Sequence, residues 1–111
     1  MESCHLPAMS EELLESARGA AHGRAAKRII GGHGHVLRQI VMALTDGSSL
    51  AEHDSPGEAT LHVLRGRIRL SAGEDSWEGS AGDHLVIPPE RHDVQALEDA
   101  VFLLTVAVLQ R

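Results

Sequence analysis

From about residue 24 onward, turn residues recur roughly every 8–12 positions, and this punctuation constrains the chain more than any other feature. Gly31-Gly32, Asp46-Gly47, Pro56-Gly57, Gly66, Ala72-Gly73-Glu74, Ala81-Gly82-Asp83 and Pro88-Pro89 cut the sequence into short aliphatic runs. Those runs predict strands at Ala25–Ile30, Val36–Leu44, Ser49–His53, Thr60–Leu64, Arg67–Leu70, around Trp77, Leu85–Ile87, His92–Leu97 and Val101–Leu109. In one of them Ile68 and Leu70 alternate with Arg67 and Arg69, the period-two pattern of a strand with one buried face. Many short strands at such spacing make a sandwich or barrel, so the expected class is all-β.

The exception lies at the front. Met9 to Arg18 reads as a short helix with Ser10 as its N-cap, Glu11 and Glu12 in the first turn, and Leu13 and Ala17 on one face. Gly19 and Gly23 limit its extension. Residues 1–24 are therefore expected to form a helical segment packed on the outside of a barrel made by residues 25–111.

A chain of 111 residues is one domain. Its core must be aliphatic, because Trp77 and Phe102 are the whole aromatic complement. So few rings leave little for base stacking. The charge points the same way. Residues 1–45 hold four carboxylates and five basic side chains, whereas residues 46–111 hold twelve carboxylates and five arginines, giving −6 in all. An acidic body lacks the positive footprint that a phosphate backbone requires, so no direct nucleic-acid partner is expected. No apolar run approaches the ~20 residues of a membrane span. The N-terminus lacks the basic-then-apolar pattern of a signal peptide, and Cys4 has no second cysteine to pair with. A cytoplasmic protein with no membrane association is expected.

The order of turns and strands resembles the cupin superfamily over about residues 36–108. Gly47, His53 and Gly66 match the first cupin signature, which runs glycine, His-x-His, glutamate, glycine, and Leu61-His62-Val63-Leu64-Arg65-Gly66 closes it. Gly82-Asp83, the apolar Leu85–Ile87, Pro88 and His92 match the second. The leading helix and the run Gly31–Gln39 are similar to small stand-alone bacterial cupins of undefined role. The resemblance implies a double-stranded β-helix, or jelly-roll barrel, around one pocket, and a homodimer.

Metal-bearing cupins carry three histidines and a glutamate on the inner barrel face. In this sequence Ser55 stands at the second histidine position and Ala59 at that of the glutamate, with Glu58 one residue early and so on the opposite strand face. The interval from Pro88 to His92 is one residue shorter than the signature. The resemblance thus implies a pocket with His53, His92, Ser55, Ala59, Leu61, Val63 and Gln39 on its walls and no resident cofactor. If an ion is held, it is a divalent transition metal on His53 and His92.

The other histidines have plainer readings. His33 and His35 lie in a glycine-rich run, His62 alternates with inward residues and should face out, and His84 follows a turn aspartate. Arg38 and Gln39 are adjacent on a core strand, so one points inward and needs a partner, either a ligand carboxylate or a buried carbonyl. Two functions remain open. One is a metal-free module that binds a small, largely apolar ligand, as a sensor or accessory protein. The other is a metal-dependent oxygenase or isomerase using His53 and His92. A regulatory role would have to run through a partner protein.

Overall fold

The computed structural model describes residues 1–54 and 57–108. One helix, α1 (Leu6–Gly19), precedes nine strands: β1 (Arg24–Ile30), β2 (Leu37–Leu44), β3 (Ser49–His53), β4 (Glu58–Arg65), β5 (Arg67–Ala72), β6 (Asp75–Ser80), β7 (His84–Val86), β8 (His92–Ala96) and β9 (Ala100–Ala107). They form two antiparallel sheets, ordered β1-β2-β9-β4-β7 and β3-β8-β5-β6.

Strand alternation builds the interior. Ala59, Leu61 and Val63 on β4 are buried while Thr60, His62 and Leu64 between them are half-buried on the other face. The buried set meets Phe102 and Val106 of β9 and, from the facing sheet, Ile68, Leu70, Val94 and Ala96. Phe102, the one phenylalanine, fills the centre at 1 % exposure.

A second apolar layer explains the helix. Met9, Leu13, Leu14 and Ala17 recur at helical spacing and pack on Val41, Ala43 and Val101, the outer face of the larger sheet. β2 is therefore covered on both faces. The helix begins earlier than its sequence suggested. His5 occupies the N-cap, Pro7 lies in the first turn, and Ser10 is an interior residue whose hydroxyl donates to the Leu6 carbonyl (2.7 Å). Proline suits a first turn because its missing N–H has no helical partner there. Ser10 is buried, so its hydroxyl takes the carbonyl four residues back.

The far end of the barrel is tied by one carboxylate. Asp99 accepts from the Asp46 backbone N–H (2.8 Å) and from Arg18 Nη2 (3.1 Å), joining the turn after β2, the turn before β9 and the last turn of α1. The Asp46 N–H and then Arg18 hold the Asp99 carboxyl below the usual carboxylate range, and Asp99 raises Arg18 in turn. Gly66, between β4 and β5, has φ +75° and lies against the Asp99 carbonyl, where any Cβ would collide.

Candidate functional site

His53 ends β3 and His92 begins β8, and the two residues are direct partners across the ladder. A register shift between Leu50 and His53 brings them opposite each other. Their rings meet edge to face, with centroids 4.5 Å apart and planes at 62°. His92 is 3 % exposed and shares the inward parity of Val94 and Ala96, while His53 is exposed at the sheet edge.

Both rings are held alike. His53 Nδ1 lies 3.0 Å from the Ala51 carbonyl, and His92 Nδ1 lies 2.9 Å from the Glu90 carbonyl. A carbonyl only accepts, so each neutral imidazole carries its hydrogen on Nδ1 and leaves Nε2 as a bare lone pair. The pair therefore presents two acceptors to whatever occupies this end of the barrel. Arg91 braces it: Nε bonds Glu52 Oε1 (3.0 Å) and Nη1 bonds Asp54 Oδ1 (3.5 Å), tying the end of β3 to the start of β8.

The opposite wall comes from the larger sheet. The chain runs from His53 to Glu58, the start of β4, and from Val86, the end of β7, to His92. The histidines thus share an end of the barrel with Ala59, Val106 and Arg38. Arg38 and Ala59 both pair with Val106, so the three lie side by side on one face. That face is the inner one, since Ala59 and Val106 belong to the barrel core. Because β6 packs against β4, β3 at the other edge of its sheet lies toward β1 and β2, on the Arg38 side.

The parity of β2 corrects one expected pocket residue. Gln39 shares the outer face with Val41 and Ala43, beneath the helix, and its Nε2 donates to Thr105 Oγ1 (3.1 Å). Arg38, not Gln39, has the inner-face parity on β2. Leu61 and Val63 are inward but closed into packed core at 1 % and 0 % exposure, so they form its floor rather than an open wall. Ala59 also borders an open groove of about 500 Å³ with Gly57, Glu58, Thr60, Val86, Ile87 and Pro89, which neither histidine nor Arg38 lines. Ser55 lies outside the described residues, as does Leu109 of the last expected strand.

His62 faces outward and pairs across the ladder with His84. His33 and His35 sit exposed in the loop between β1 and β2, not on a strand, so strand geometry does not aim them together. The Asp83 carboxylate itself accepts from the Ser80 N–H (2.8 Å), leaving His84 free to open β7.

A transition metal of the kind this fold family holds is not matched by these residues. Among the described residues no three His, Cys, Asp or Glu side chains are grouped to hold an ion. Ala59 offers no donor, and the nearby carboxylates of Glu52 and Asp54 are turned to Arg91.

Two antiparallel sheets closed face to face, with a histidine pair at one open end, define a double-sheet jelly roll. More narrowly, it is the cupin fold. The chain is similar to a conserved protein of unknown function from Streptococcus pyogenes, at 20% identity and TM-score 0.71 over 83% of this chain and 80% of that one. A cupin superfamily protein from Desulfitobacterium hafniense matches at 14% identity and TM-score 0.70, over 78% of each chain. An RmlC-like cupin from Shewanella frigidimarina matches at 16% and 0.69, over 82% of this chain and 81% of that one. No family model and no curated protein matches the sequence. Among the described residues no helix is long and apolar enough to cross a membrane.

Proposed function

We propose that this chain is a small-molecule-binding cupin that works without the usual metal centre, as a sensor or accessory protein. The observation that carries the reading is the His53–His92 pair, whose Nδ1 atoms both face backbone carbonyls, so that in the neutral rings both Nε2 atoms are acceptors. Two fixed acceptors beside aliphatic walls suit a ligand with an apolar body and one or two O–H or N–H groups. The protein is proposed to act as a homodimer, an assignment favoured by the exposed apolar side chains of Val36, Leu37 and Val86.

Native mass spectrometry and metal analysis of protein purified without an affinity tag test the reading. A co-purifying organic mass that disappears in His92→Ala, with no stoichiometric transition metal, is the expected result. One transition-metal ion per chain would overturn it and favour the metal-dependent oxygenase or isomerase.

A further inference from the structure

We infer that Arg38 anchors the carboxylate of the ligand, with Arg28 as the second cation of the same site. The inference rests on the proposed small-molecule site at this end of the barrel and names the chemistry of its ligand. Arg38 Nε is buried and has no hydrogen-bond partner, the one such side-chain atom among the described residues. An N–H left in that state costs about 1–3 kcal/mol, more when the group is charged. Folding alone gives no return on such a cost.

The neighbourhood sharpens the point. Gly31, at φ +136°, faces Arg38 Cγ and Arg28 Cδ, which lie 3.0 and 3.3 Å from where its Cβ would stand. Two arginine stems therefore converge on one glycine. Like Arg24, Lys27 and Arg65, neither makes an ion pair within the described residues, but only Arg38 also has a buried guanidinium nitrogen without a partner. The stems adjoin at Gly31, while the Arg28 side also borders the groove lined by Met9 and Gln39. A carbonyl could have quenched Arg38 Nε, and none does.

A carboxylate fits better than a rounder anion. Nε–H and one Nη–H form a side-on fork that matches two coplanar oxygens. The inner-face neighbours of Arg38 are Ile40, Val106 and Ala59, which suit an aliphatic chain, and His53 and His92 lie at the same end of the barrel on the facing sheet. The ligand class is thus an aliphatic carboxylic acid, with a hydroxyl or amine where the histidines can accept from it. Gly31 lies over the Arg38 stem, and the absence of a side chain there lets the guanidinium reach the ligand.

The probes are hexanoate, hexanamide and inorganic phosphate, titrated into the tag-free full chain while arginine Nε–H and histidine ring resonances are followed by NMR. The Arg38 signal is assigned by its loss in Arg38→Gln. Hexanoate should shift the Arg38 Nε–H and the His92 ring saturably, and hexanamide should leave the Arg38 signal unmoved. Arg38→Gln should weaken hexanoate about tenfold or more, and Arg28→Gln, at an exposed side chain that does not threaten folding, about threefold. If hexanoate and hexanamide both move His92 with Arg38 unmoved, the carboxylate anchor is overturned while the small-molecule site stands. If phosphate competes as well as hexanoate, the preference for carboxylate is overturned. If neither organic probe moves either histidine or Arg38, the anchor falls together with the site it rests on.

Discussion

His53 and His92 are cross-strand partners in opposite environments, one exposed at a sheet edge and the other 3 % exposed, yet their rings are oriented by the same bond to a carbonyl two residues back. Their substitution should separate structure from binding. His92→Ala removes a buried ring and strands the Glu90 carbonyl, so it should cost about 2 kcal/mol in urea unfolding. His53→Ala should cost about 0.5 kcal/mol or less. Equal costs would mean that the pair acts as one structural unit.

The helix belongs to the same cooperative unit as the barrel. Leu14 is fully buried against the outer face of the larger sheet. Leu14→Ala should cost about 2–4 kcal/mol and shift one single unfolding transition. A separate early transition for helix loss would contradict this.

Asp99 should make stability depend on acid. Its folded carboxyl lies below the ordinary value because the Asp46 N–H and Arg18 favour the ionised form. A depressed folded pKa contributes stability that is complete above the unfolded value of about 3.9 and is lost as pH falls through the folded one. Asp99→Asn should therefore destabilise by about 0.5–1 kcal/mol at pH 7, a small figure because the side chain is 39 % exposed. The gap between wild type and variant should close toward pH 2. A gap that stayed constant with pH would assign the effect to packing.

The sequence carried most of this fold because its signals are local. Turn glycines such as Gly66 and Gly82 require positive φ, and β4 and β5 alternate cleanly because one face of each is wet or lightly covered. β2 was harder. With the barrel core on one side and α1 on the other, Leu37–Leu44 reads as a nearly continuous apolar run, and nothing in it assigns a face to Arg38 or Gln39. Only the register with β9 separates them. The histidine pair is non-local in the same way, since its alignment depends on the irregularity between Leu50 and His53. Ser10 misled because a good capping residue also serves inside a helix when its hydroxyl bonds back to Leu6.

The row Arg38–Val106–Ala59 permits a decisive variant. Two strand spacings, about 10 Å, separate Arg38 from Ala59, and an arginine and a glutamate on one face span that distance over the intervening valine. Ala59→Glu thus supplies, from the protein itself, the carboxylate that Arg38 lacks. The variant should fold, with a loss of at most about 2 kcal/mol from crowding Ile87, and hexanoate should no longer shift the Arg38 Nε–H. Arg38→Met alone should be mild, because it removes an unpaired buried donor rather than a bond. The two changes together should be far worse than their sum, by about 2–3 kcal/mol, because the new carboxylate is then buried without a cation. Additive costs in urea unfolding would mean that the two side chains never meet, and that Arg38 is not available to a carboxylate on the inner face.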